Sequence, residues 1–149
     1  MKRKITPWIL FSFFALLCSS VFSSCGDEDV LGGLEWSVSN SNPDNIKVDN
    51  QGGAQISINV GNEGGEVVLT CTNYSDLTFH LWNDKEETYY ECDLGTFTVN
   101  KNKVTCTFPA KDNNAEDDGQ LFTIRAKDNK KTYSTILMVN YNNPASSDN

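Results

Sequence analysis

From Leu34 onward the chain is a succession of short runs in which apolar and polar residues alternate, punctuated by Gly and Asn. Alternation with a period of two places successive side chains on opposite faces of a strand, and β-branched and aromatic residues favour that conformation. The pattern predicts strands at 34–38, 45–48, 54–60, 66–72, 77–82, 88–92, 96–99, 103–108, 121–127 and 132–140. Gln51-Gly52-Gly53, Asn62-Glu63-Gly64-Gly65 and Asp128-Asn129-Lys130-Lys131 supply turn chemistry between them, since Gly and Asn tolerate positive φ. No useful window carries the i, i+3, i+4 spacing of an amphipathic helix.

The same alternation assigns faces. Val67, Leu69 and Cys71 share one side of their strand, as do Val104, Cys106 and Phe108. Phe122, Ile124 and Ala126 form a third inward set, with Thr123, Arg125 and Lys127 pointing out. The run 132–140 is apolar on both faces, which predicts a central strand covered on both sides. Ten short strands at regular spacing define an all-β fold, an immunoglobulin-like antiparallel β-sandwich over 34–141 with a frayed tail at 142–149. Cys71 and Cys106 then become core neighbours or disulfide candidates on adjacent strands, with Cys92 bonded to neither.

One predicted hairpin carries the candidate site. If 77–82 pairs with 88–93 around the loop 83–87, Leu81 faces Tyr90 and Phe79 faces Cys92 on the core side. Trp82 then opposes Tyr89, and His80 opposes Glu91, on the solvent face. Cross-strand pairs of this kind stabilise a sheet by roughly 0.2–1 kcal/mol each. Trp82 and Tyr89 side by side would make a stacking platform for a sugar ring, with His80 and Glu91 at its rim. The competing expectation is that Trp82 folds over a sandwich edge.

The first 24 residues follow a different rule. Lys2, Arg3 and Lys4 precede an apolar run from Ile9 to Phe22, which ends in Ser23, Ser24 and Cys25. A basic start, a short apolar stretch and small residues before a break are the layout of an export signal. A membrane-spanning helix needs about 20 continuous apolar residues, and this run is shorter and loosened by serine. Residues 22–25 resemble the lipobox of bacterial lipoproteins, with Phe22 standing where leucine is usual. The resemblance implies cleavage before Cys25 and lipid on its thiol, hence a membrane partner without a spanning segment. Asp27-Glu28-Asp29 is similar to the acidic export signal of surface-exposed lipoproteins in Bacteroidota. It implies an outer-membrane, cell-surface location, with residues 25–33 as lipidated cysteine and flexible acidic tether.

A second resemblance spans Gly64 to Asn140. Gly64-Gly65 before a strand, Thr72-Asn73-Tyr74 at its end, the Asn113-Asn114 loop and the closing strands 122–126 and 132–140 resemble the BACON-type immunoglobulin-like modules of Bacteroidota. Gln120 stands where arginine is common there, Asn140 replaces the closing glutamine, and the family's tryptophans lack counterparts. The resemblance implies a fold and a role in carbohydrate or mucin contact.

Charge and composition narrow the functions. All twenty acidic residues lie after residue 24, against nine basic ones, so the chain from Cys25 carries −11 with His80 neutral. Such an excess argues against nucleic acid and against docking on anionic lipid. His80 is the only histidine, no Cys-x-x-Cys pair occurs, and no G-x-S-x-G is present. No cofactor, metal site or catalytic residue is expected, and His80 reads as a solvent-facing structural histidine. Asp112, Asn114, Glu116 and Asp118 alternate like a calcium loop, but Gly119 and Thr123 stand off the EF-hand spacing, so a solvated acidic turn is expected. Two functions stay open: a non-enzymatic surface lipoprotein binding a ligand such as a glycan, or a structural spacer or accessory subunit of a surface assembly with a protein partner.

Overall fold

A computed structural model describes residues 28–143. The proposed signal peptide, Cys25 and the end of the tail lie outside the described residues. Twelve strands follow in order: β1 (Glu28–Leu31), β2 (Trp36–Asn40), β3 (Ile46–Gln51), β4 (Gln55–Val60), β5 (Gly65–Cys71) and β6 (Thr78–His80). Then come β7 (Glu86–Glu87), β8 (Tyr89–Cys92), β9 (Gly95–Asn100), β10 (Lys103–Phe108), β11 (Asp118–Asp128) and β12 (Lys131–Tyr141). No helix occurs among the described residues.

The strands form two sheets. One has seven strands in the order β3-β4-β12-β11-β6-β7, with β1 added beside β12; the other has five in the order β2-β5-β10-β9-β8. The inward sets assigned by alternation meet between them. Val67, Leu69, Cys71, Val104, Cys106 and Phe108 come from the five-stranded sheet, and Phe122, Ile124 and Ala126 from the other, all buried. Phe79, Phe97 and Phe122 stack at the centre, with ring centroids 4.6–6.4 Å apart. The molecule is an all-β, immunoglobulin-like β-sandwich.

The sheets are not wholly antiparallel. β12 runs parallel to β1 along Lys131–Ser134 and parallel to β4 along Ile136–Tyr141. Two strands far apart in sequence, β1 and β4, thus share one long edge of β12. β12 can support this because it is apolar on both faces: Leu137, Val139 and Tyr141 enter the core, while Ile136 and Met138 are buried on the outer side.

The expected tether is corrected over 28–33, and its first residues, 25–27, lie outside the described residues. Glu28–Leu31 is a strand, and Gly32 continues its pairing with Ser134. Gly33 has φ +86°, and a β-carbon there would lie 2.5 Å from the Tyr133 ring. Backbone hydrogen bonding to β12, which needs no apolar side chain, orders this polar, Gly-rich stretch.

Cys71 and Cys106 do sit on the inner face of adjacent strands, as expected, and their register separates them. Cys106 pairs with Val67, four residues from Cys71. Four residues of strand span about 13 Å, while a disulfide needs Cα atoms within about 7 Å. Cys71, Cys92 and Cys106 are all free thiols. Burial pushes the Cys106 thiol far above its ordinary pKa, with Glu66 adding to the shift.

Candidate functional site

The hairpin expected at 77–93 is where the structure departs most from the sequence reading. β6 does turn back, but through the short loop 81–85: Leu81 N–H donates to the Lys85 carbonyl (2.9 Å), and Asp84 N–H to the Leu81 carbonyl (2.9 Å). Asp84 adopts φ 67° to close it. The register becomes Phe79 with Glu87 and His80 with Glu86. After β7 the chain crosses to the other sheet, where Tyr89 pairs with Thr98 and Glu91 with Thr96. The Trp82–Tyr89 platform therefore does not assemble, and His80 does not oppose Glu91. Tyr89 instead donates its hydroxyl to the Glu91 carboxylate at 3.1 Å, on an exposed stretch of β8. β8 has a stronger alternative partner in β9, with four paired positions.

What the outer face of the seven-stranded sheet does assemble follows from register. Cross-strand partners share a face, so its outer side reads as rungs. Asp29, Thr132 and Lys127 form one rung. Leu31, Ser134, Arg125 and Thr78 form the next. Gln55, Ile136, Thr123 and His80 form the third. Ser57, Met138 and Leu121 form the fourth. The middle is a small apolar floor of Leu121, Ile136 and Met138, each at most 7% exposed, with Leu31 packed against it. Charged and hydroxyl side chains surround it. Trp82, 46% exposed, and Leu81 rise from the loop after β6 to flank one side. Together these elements enclose a groove of about 780 Å³.

His80 lies inside this groove. It points outward, as alternation requires, yet is buried at 9% exposure, which corrects the expectation of a solvent-facing side chain. Its Nε2 lies 2.8 Å from Thr78 Oγ1. Thr78 Oγ1 in turn donates toward the Arg125 carbonyl at 3.5 Å. Nδ1 is buried without a hydrogen-bond partner and stands 3.9 Å from the Asp84 carboxylate. Arg125 Nη2 reaches the same carboxylate at 2.8 Å. Desolvation first, and the nearby Arg125 charge second, pull the His80 pKa below its ordinary value, against a smaller upward pull from Asp84 and Glu86. The groove thus holds a neutral imidazole, an Arg–Asp pair, several hydroxyls and an aromatic wall.

Of the site residues expected from sequence, His80 and Trp82 line the groove and Tyr89 and Glu91 lie on the other sheet. The sequence pattern does not mark Arg125, Thr78, Thr123 or the apolar floor as site residues. The outward direction of Thr123, Arg125 and Lys127 was visible in the alternation; their company with β6 and β1 was not, because those pairings are non-local. The acidic loop carries its own hydrogen bonds. Asp112 accepts from Asn114 N–H (2.9 Å), Asp117 from Asn143 N–H (2.7 Å) and Asp118 from Gly119 N–H (2.7 Å).

No protein-family model matches the chain, and no curated protein sequence does. Among solved structures, a protein from Bacteroides thetaiotaomicron is similar at 14% identity, covering 74% of this chain and 88% of that one, with TM-score 0.42. Titin domain M7 is similar at 12% identity, covering 70% of this chain and 97% of the domain, with TM-score 0.35. A family 123 glycoside hydrolase from Clostridium perfringens is similar at 10% identity over 74% of this chain but only 27% of its own length, with TM-score 0.28. At such distances the fold assignment rests on the two sheets themselves.

Proposed function

We propose that this is a non-enzymatic, lipid-anchored surface protein of the outer membrane whose β-sandwich binds a glycan in the outer groove of the seven-stranded sheet. The observation that carries this reading is the combination of Trp82, an apolar floor and a ring of hydrogen-bonding groups in one concavity. Binding sites join apolar surface to a few convergent polar groups in this way. Sugar C–H faces pack on an indole, and hydroxyls find Arg125, Asp84 and Thr123. The lipobox-like residues 22–25 support the anchor. A binding rather than catalytic role is favoured because Cys71 and Cys106 are buried in the core between the sheets, and the hydroxyl beside His80, Thr78 Oγ1, is turned toward the Arg125 carbonyl, whereas acyl transfer needs an activated nucleophile open to substrate.

The accessory-subunit alternative draws less support. Exposed large apolar side chains among the described residues are Val38, Trp82 and Tyr89, each on a different element, rather than one broad patch.

A glycan array probed with the protein, followed by titration of any hit, tests the reading. Trp82→Ala and Arg125→Gln are expected to weaken binding by about tenfold or more, roughly 1.4 kcal/mol each. Tyr89→Ala, on the other sheet, is expected to leave it unchanged. Binding that survives Trp82→Ala and Arg125→Gln, or that is lost with Tyr89→Ala, would rule out the groove.

A further inference from the structure

We propose that the sandwich stands upright on its anchored end, with the 128–131 turn and the neighbouring 101–103 and 72–77 segments against the headgroups of an anionic bilayer. The inference rests on the lipid-anchor reading of Cys25 and adds an orientation to it.

The first observation is the length of chain between anchor and fold. Glu28 is already part of the sheet, its N–H donating to the Lys130 carbonyl at 2.8 Å. Only Gly26 and Asp27 separate it from Cys25. Three peptide steps reach at most about 11 Å. A lipid on Cys25 therefore holds the β11–β12 turn close to the membrane, where a nine-residue tether would have left the domain free to tumble.

The second observation is where the charge lies. The same end of the sandwich gathers the turns that follow β5 and β9. Tyr74 bonds the Asp128 carboxylate at 3.3 Å, and Leu77 N–H donates to the Lys101 carbonyl at 3.0 Å. Five of the nine basic residues sit at this end, all exposed: Lys101, Lys103, Lys127, Lys130 and Lys131. Against them stand five carboxylates, Glu28, Asp29, Glu35, Asp76 and Asp128, and Asp27, next to Glu28 in the link to the anchor, makes six. Elsewhere in residues 28–143, four basic residues stand against thirteen acidic ones. The opposite end holds Glu63, Asp93, Asp112, Glu116, Asp117 and Asp118, joined by bonds such as Lys111 N–H to the Asn62 carbonyl and Lys111 Nζ to the Asp93 carbonyl. Most of the excess negative charge that argues against lipid docking thus lies away from the anchored end. An anionic surface repels the strongly acidic remainder and leaves the near-balanced anchored end facing it, with its lysines within a Debye length of the headgroups. The groove, on the side of the same sheet, then opens parallel to the membrane.

The test is lysine footprinting. The full-length lipoprotein, extracted from membranes, is placed in phosphatidylcholine vesicles containing phosphatidylglycerol, labelled with an impermeant amine reagent and read by mass spectrometry. Lys101, Lys130 and Lys131 are expected to react roughly threefold slower than in detergent, while Lys47, Lys85 and Lys111 keep their rates. Ten Gly/Ser residues inserted between Asp27 and Glu28 are expected to abolish the protection without altering the folded core. Equal labelling of all six lysines on a protein whose Cys25 carries lipid overturns the orientation alone. An N-terminal peptide showing unmodified Cys25 overturns the anchor and the orientation together.

Discussion

His80 shows how little a residue's identity says about its environment. Strand alternation correctly turns it away from the core, and nothing in the sequence announces that β1, β11 and the loop after β6 will build a groove around it. Its burial and the facing Arg125 lower its pKa, with Asp84 and Glu86 opposing. The folded state therefore holds the proton less tightly than the unfolded chain. Between the lowered folded value and the ordinary value of about 6.5 the unfolded state binds more protons, so stability rises with pH across that window and falls on acidification through it. Because the chain has a single histidine, one NMR titration reads the effect directly. The imidazole is expected to titrate below about 6.5. Arg125→Gln should raise the midpoint and Asp84→Asn should lower it. A midpoint at or above the ordinary value, or no response to Arg125→Gln, would contradict the packed groove.

At the scale of elements, all ten strands expected from alternation are present, and 103–108 matches β10 residue for residue. Side-chain periodicity is a local property, so it survives in the sequence. Two things were not legible for one shared reason: both depend on backbone partners far along the chain. Glu28–Leu31 carries no alternating apolar pattern and so reads as tether, yet its peptide groups bond β12 about a hundred residues on. Tyr89 and Glu91 were placed beside Trp82 and His80 because a hairpin is the nearest available pairing, but β9 captures β8 for the other sheet. The order of the β1 segment is testable at its exit. Gly33 combines φ +86° with a close approach to Tyr133, so Gly33→Ala is strained both by conformation and by space. Urea unfolding should show a loss of about 1–3 kcal/mol. Gly52→Ala is a useful comparison, since it also has positive φ but nothing within 4 Å. Equal costs at the two positions would mean that the contact with Tyr133 contributes nothing.

For the molecule as a whole, the groove and the core make opposite demands on aromatic side chains. Trp82 is 46% exposed on a loop, so Trp82→Ala should change stability by no more than about 0.5 kcal/mol, the range of ordinary surface substitutions. Phe97 is fully buried and joins the sheets: its ring lies 4.6 Å from Phe122 and 6.4 Å from Phe79 across the interface, and 5.9 Å from Phe108 on its own sheet. Removing it leaves a cavity that several rings must collapse into, at a typical cost of about 3–5 kcal/mol. Net stabilities of domains are about 5–15 kcal/mol, so Phe97→Ala should take a large share of the total. The loss should appear in both sheets at once, because neither has another partner for its inner face. Denaturation followed by far-UV and near-UV circular dichroism is expected to give coincident transitions, shifted strongly for Phe97→Ala and hardly at all for Trp82→Ala. Separate transitions for the two probes would show that one sheet persists without the other. A large loss with Trp82→Ala would place that indole in the structural framework, and with it any fall in ligand binding would cease to report on the groove.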